Sequence, residues 1–126
     1  MVGTVLVSHS KALAEALSAY TKMMAPNAPV AAAGGQEDGS FGTSYELIEA
    51  AIEQVGGPDG VVVLMDMGSA VMTVKMVLED LADENVRMAD CPFVEGAVEG
   101  TVLAQSGAPL AEIVEALGRV ADAHKV

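Results

Sequence analysis

Apolar residues in this chain recur in two alternating ways. Short unbroken runs, such as Val5-Leu6-Val7 and Val61-Val62-Val63-Leu64-Met65, predict strands. Between them, apolar residues return every three or four positions, the period of a helix with one buried face. Gly3-Thr4-Val5-Leu6-Val7 is the first strand. Leu13, Leu17, Tyr20 and Met24 then mark a helix stripe, with Ser10 placed to cap it through a free amide of the first turn. Pro26 and Pro29 end that helix, and Val30-Ala31-Ala32-Ala33 is a second strand.

Residues 34–42 form the longest loop and include Gly34, Gly35, Gly39 and Gly42, more glycine than a plain connection needs. Thr43 with Glu46 three residues on fits a capping box, and Leu47, Ile48, Ala51, Ile52 and Val55 form the stripe that follows. Gly56-Gly57-Pro58 stops that helix. The run 61–65 is apolar on both faces, as the middle of a parallel sheet covered on both sides must be. After the turn Asp66-Met67-Gly68-Ser69, with Ser69 as cap, Val71, Val74, Leu78 and Leu81 predict a third helix. Val86-Arg87-Met88-Ala89 is a weaker fourth strand. One helix runs from about Phe93 to Gln105, and a last one begins near Pro109 with Leu110, Ile113, Val114, Leu117 and Val120.

The order β-α-β-α-β-α-β-α-α predicts an α/β fold: a doubly wound, mostly parallel open sheet of four or more strands with helices on both faces, residues 1–126 forming one domain. In such sheets the site lies beyond the carboxyl ends of the strands, where the strand order reverses. Assuming the order 2-1-3-4, that crevice separates Ser8-His9-Ser10 from Asp66-Met67-Gly68-Ser69 and sets His9 opposite Asp66.

Imidazole is a nucleophile only when neutral with one nitrogen lone pair free. A carboxylate accepting the proton of one ring nitrogen fixes the tautomer and presents the other. Amides at the helix starts, with Ser10, Gly35, Gly68 and Ser69, are candidates to hold phosphoryl oxygens. Taken singly, each residue also fits a plainer role: His9 as a local hydrogen-bonding group, Asp66 as a turn residue, the serines as caps.

Composition narrows the classes. The chain has 126 residues, 52% of them apolar and 19% charged, ample for a core. With two Phe, two Tyr and no Trp, neither a flavin pocket nor a base-stacking surface is expected. The net charge of −12, from 18 acids against 6 bases, argues against nucleic acid and fits either a basic protein partner or plain solubility. The single cysteine, Cys91, excludes an intrachain disulfide and reads as a small apolar filler. His124 lies near the end of the chain, no second His or Cys is placed for a metal site, and the glycine loop matches neither a P-loop nor a dinucleotide fingerprint. No apolar run approaches the ~20 residues of a membrane span, so no membrane association and a cytoplasmic location are expected.

Four segments together carry a resemblance: Val5 to Ser10 with Leu13-Ala14-Glu15, Gly34-Gly35 with residues 38–44, Val62 to Ala70, and Pro92 to Ala97. Over nearly the whole chain they resemble the phosphotransferase subunit of the bacterial dihydroxyacetone kinase driven by phosphoenolpyruvate. That family is similar to the enzyme IIA domain of mannose-type sugar phosphotransferase systems. The resemblance implies a phosphotransferase component that works through a phosphorylated His9 oriented by Asp66. It implies the phosphocarrier HPr as donor, and ADP held on a nucleotide-binding kinase subunit as acceptor. It further implies a homodimer and no cofactor on this chain. Mannose-type domains usually carry Gly-Gly-Ser-Pro after the strand-3 aspartate region; Asp66-Met67-Gly68-Ser69-Ala70 departs from this and favours the dihydroxyacetone branch. Some relatives fuse this domain to HPr-like and enzyme I-like domains; with neither before Val126, the donor is expected in trans.

Two other readings keep His9 and change its purpose: a IIA component of a mannose-type sugar transport system, or a regulatory module whose partner binding depends on phosphorylation. A flavodoxin-like carrier would need a longer phosphate loop after strand 1, and a receiver domain an acidic pair there. The helix from Phe93, with Val94, Ala97, Val98 and Val102 and with Gly96 and Gly100 one turn apart, is the expected dimer face.

Overall fold

The structure is a computed structural model that describes residues 1–126. Its elements follow the expected order: β1 (Gly3–Ser8), α1 (Lys11–Thr21), β2 (Val30–Gly34), α2 (Tyr45–Val55), β3 (Val61–Met65), α3 (Gly68–Leu81), β4 (Val86–Met88), α4 (Phe93–Gln105) and α5 (Leu110–Gly118), then a short 3₁₀ turn. The four strands form one sheet in the order β2-β1-β3-β4, every pair parallel.

Two apolar clusters account for this arrangement. Val5, Val7, Val61 and Val63 point to one face, where α2 and α3 cover them with Ile48, Ile52, Val74 and Val77. Leu6, Val62 and Leu64 point to the other, against Leu17 of α1, Ala97 and Ala104 of α4, and Ile113 and Leu117 of α5. Fully burying a Val or Leu side chain contributes about 1.5–3 kcal/mol. The central strands β1 and β3 are buried along nearly their whole length, so they form the rigid floor, and polar chemistry is confined to their ends.

Several helix details depart from the expected pattern. The buried residues of α1 are Ala14, Leu17 and Thr21, so Leu17 of the expected stripe faces the core while Leu13, Tyr20 and Met24 are exposed; Ala14 takes the inner face where α1 packs close to the sheet. Gly34 permits that approach, since a Cβ there would lie 2.5 Å from the Ser10 carbonyl oxygen. The cap of α2 is Ser44, whose hydroxyl accepts from the Leu47 amide. Thr43 is instead bonded to Thr73 of α3 at 2.9 Å. The cap position of α3 is Met67, with no side-chain bond, and Ser69 lies inside the first turn.

The glycines of α4 also serve a different purpose. A Cβ at Gly96 would sit 2.4 Å from the Cys91 sulfur, and one at Gly100 would sit 3.3 Å from Leu117 Cδ1. Both glycines, with Ala97, are buried within the chain, so they admit its own neighbours and not another backbone. Burial pushes the Cys91 thiol up to about 11, in keeping with a filler. No helix is long and apolar enough to cross a membrane.

Candidate functional site

The parallel register pairs Val7 with Met65, so the residues that follow them emerge side by side at the carboxyl ends of β1 and β3. The chain then turns into α1 and α3, and the two helix starts open on the same spot. His9 and Asp66 meet there. The Asp66 Oδ1 lies 2.9 Å from His9 Nδ1, and Oδ2 accepts the His9 backbone amide at 3.0 Å. Oδ1 also accepts the Met67 amide at 2.7 Å, and Oδ2 accepts the Ser8 hydroxyl at 2.8 Å.

These donors decide the charge of the carboxylate. Partial burial pushes its pKa up, but the His9 amide, the Ser8 hydroxyl, the His9 ring and the Met67 amide outweigh that and hold Asp66 below the ordinary carboxylate value. An ionised Asp66 accepts only, so His9 Nδ1 carries the shared proton. In the neutral ring Nε2 then keeps its lone pair, and the Ser69 hydroxyl meets that nitrogen. Ser69, unused as a cap, is the partner of the nitrogen that would react.

Around Nε2, the Gly68 and Ser69 amides open the first turn of α3, and neither donates to another protein group. A helix start of this kind favours an anion. Ser10 is taken up differently: its hydroxyl caps α1 by accepting from the Leu13 amide at 3.2 Å, and its own amide donates to Ser8 Oγ at 3.0 Å. Gly35 is not free to hold a phosphoryl oxygen, because its N–H donates to the Ser8 carbonyl at 3.0 Å. Its φ of 69° suits glycine and turns the loop back toward β1. Farther along, the Gly42 amide donates to the His9 carbonyl at 2.9 Å. The glycine loop therefore fixes the backbone on both sides of the Ser8–His9 peptide.

Sequence reasoning missed Ser8, Thr43 and Thr73 as parts of this frame. Alternation along β1 assigns Ser8 to a buried position, and a buried hydroxyl at a strand end is the signal that could have found it. His9 remains partly exposed, and Met67 and Phe41 stand exposed on the adjoining segments. Five surface hollows on the chain are lined by other residues and not by His9. An open rim of this kind suits a group delivered on another macromolecule. No group of three or more His, Cys, Asp or Glu side chains is gathered for a metal ion.

The profile of the EIIA-man family, described as the PTS system fructose IIA component, matches residues 3–114. The chain belongs to the EIIA-man family. Among curated relatives, the PTS-dependent dihydroxyacetone kinase phosphotransferase subunit DhaM of Lactococcus lactis is 34% identical over 118 residues, covering 94% of each chain. The phosphoryl donor subunit DhaM of the Escherichia coli PEP-dependent dihydroxyacetone kinase is 38% identical over 121 residues. That alignment covers 90% of this chain but only 26% of the relative, so this EIIA-man chain spans about a quarter of the E. coli protein. Among solved structures, EF1359, a protein of unknown function, superposes with a TM-score of 0.81 at 24% identity, covering 94% of this chain and 95% of that one. A sigma-54 interaction domain protein from Enterococcus faecalis gives a TM-score of 0.70 at 15% identity, covering 92% and 87%. Both structures share the fold.

Proposed function

We propose that this EIIA-man chain is the phosphoryl donor subunit of a dihydroxyacetone kinase and carries the phosphoryl group on His9 Nε2. The observation that carries this reading is the His9–Asp66 pair, with Nδ1 bonded to the carboxylate and Nε2 meeting the Ser69 hydroxyl in the first turn of α3. DhaM relatives at 34–38% identity supply the substrate class.

The chemistry is one substitution at phosphorus. The Nε2 lone pair forms the new P–N bond as the bond from phosphorus to the donor's leaving nitrogen breaks, and the Nδ1 proton stays in place. The ring becomes cationic, and Asp66 compensates that charge. In the onward step the ring leaves as neutral imidazole, a good leaving group. The Gly68 and Ser69 amides and the Ser69 hydroxyl suit the equatorial oxygens in both directions. The donor is an HPr-like phosphocarrier, and the acceptor is ADP on the nucleotide-binding kinase subunit. No cofactor or metal on this chain is required.

The chain is further proposed to work in the cytoplasm as a homodimer, with the second copy covering the face where Tyr20, Met24, Val94 and Val102 are exposed. Light scattering that returns a monomer mass at micromolar concentration contradicts the dimer. To test the acceptor, the phosphorylated chain is mixed separately with the ADP-loaded kinase subunit and with the next component of a mannose-type transport system. Discharge to ADP alone is expected. Discharge only to the transport component would assign the chain to sugar uptake, and discharge to neither would favour a regulatory module.

A further inference from the structure

We propose that Ser8 is a positioning residue, whose buried hydroxyl orients Asp66 and thereby selects the tautomer that His9 presents. The proposal rests on the reading of His9 as the phosphoryl carrier and adds a residue to it.

Ser8 is the last residue of β1 and is fully buried. Its hydroxyl accepts the Ser10 amide at 3.0 Å and lies 2.8 Å from Asp66 Oδ2. A hydroxyl has one proton to give. With the Ser10 amide approaching as a donor, that proton goes to the carboxylate. The start of α1 is thus linked through Ser8 to Asp66, and through Asp66 to the His9 ring.

The other donors to Asp66 are the His9 and Met67 amides and the His9 ring. All three belong to Asp66's own turn or to the residue it must hold. Ser8 is the one further side chain that bonds the carboxylate, and it is fixed in a central strand paired on both sides, with Gly34 of β2 as one partner. It therefore serves as the fixed point from which the carboxylate plane is set. Without the hydroxyl, Oδ2 keeps only the His9 amide, and the carboxylate is freer to turn about its terminal torsion, which is intrinsically soft. The hold on Nδ1–H then weakens, and the tautomer protonated at Nε2 gains population. That tautomer has no lone pair on the nitrogen facing Ser69 and the open helix start.

The test uses the whole chain with Ser8→Ala, Ser8→Cys and Ser8→Thr. The His9 ring nitrogens are read by ¹⁵N NMR in the unphosphorylated protein, and transfer from phosphorylated HPr is timed separately. Wild type is expected to show the single tautomer protonated at Nδ1. Ser8→Ala, with its fold verified by melting, is expected to show a mixture and to transfer about tenfold more slowly, the scale of one hydrogen bond to a charged group. Ser8→Thr keeps the hydroxyl and is expected to restore both readouts, while Ser8→Cys, a weaker donor, falls between. A folded Ala variant with the wild-type tautomer overturns the proposal; if that variant does not fold, the same result from the Cys variant does. The ring signals are read without phosphate, so a wild-type chain that is never phosphorylated would defeat the carrier reading and leave the tautomer result standing.

Discussion

Asp66 holds His9 at two points, with Oδ1 2.9 Å from the ring Nδ1 and Oδ2 3.0 Å from the backbone amide. One contact orients the ring and the other fixes the chain that bears it. A carboxylate bonded only to the ring would leave the backbone free to move; one bonded only to the backbone would leave the tautomer open.

Replacing Asp66 with Asn tests the first contact. An amide at this position carries no charge to stabilise the cationic ring, and its NH₂ can favour the wrong tautomer. Transfer is expected to fall by on the order of 100- to 10,000-fold, the range for a well-placed proton-handling group. The same variant also reports on stability. Asp66 is held below the ordinary carboxylate value, so its contribution is present above that value and lost as pH falls through the depressed folded value. Melting of wild type and Asp66→Asn should therefore differ near neutral pH and converge in strong acid. A constant difference across that range contradicts the assignment.

Most of this frame is legible in the sequence, for physical reasons. Short, β-branched valine runs bounded by turn residues read as buried strands, and glycine or proline marks where four of the five helices stop, α3 ending instead at Ala82 in the left-handed conformation. Given the strand order 2-1-3-4, the residues after β1 and β3 come together and pair His9 with Asp66; that order is an assumption at the level of sequence, because the crossover rule fixes handedness and not neighbours, and the structure supplies it. The caps are less legible because Thr43 and Ser44 are adjacent and chemically alike. Only the fold shows that Thr73 takes the Thr43 hydroxyl and leaves capping to Ser44. Ser69 resembles a cap in sequence, and only the approach of His9 reveals its different partner. Gly96 and Gly100 suggest an interface until Cys91 and Leu117 are seen filling the space above them.

Thr4 offers a test of packing that is independent of the site. It is fully buried in β1, and its hydroxyl has no hydrogen-bond partner. A buried hydroxyl without a partner costs about 1–3 kcal/mol, and valine has the same shape without the polar atom. Thr4→Val is expected to raise the denaturant midpoint and leave transfer unchanged. A lower midpoint would show that the hydroxyl has a partner after all.

Charge should govern how the donor arrives. The chain carries a net charge of −12, and attraction to a basic carrier is screened as salt rises, the screening length being about 8 Å at 0.15 M. The second-order rate of transfer from HPr is expected to fall steadily with ionic strength, while the spontaneous loss of phosphate from the chain is not. Chelating magnesium after HPr has been phosphorylated is expected to change neither rate. A transfer rate indifferent to salt would contradict charge steering, and a rate abolished by chelation would show that transfer needs a bound metal.

The proposed role of His9 as the residue that carries the phosphoryl group is open to direct labelling. The purified chain is incubated with phosphoenolpyruvate, enzyme I and HPr, and the bound phosphate is located by mass spectrometry and challenged with acid. One acid-labile phosphate per chain is expected, on His9, absent from a folded His9→Ala variant. Undiminished labelling of that variant, or a phosphate found on His124, would contradict it.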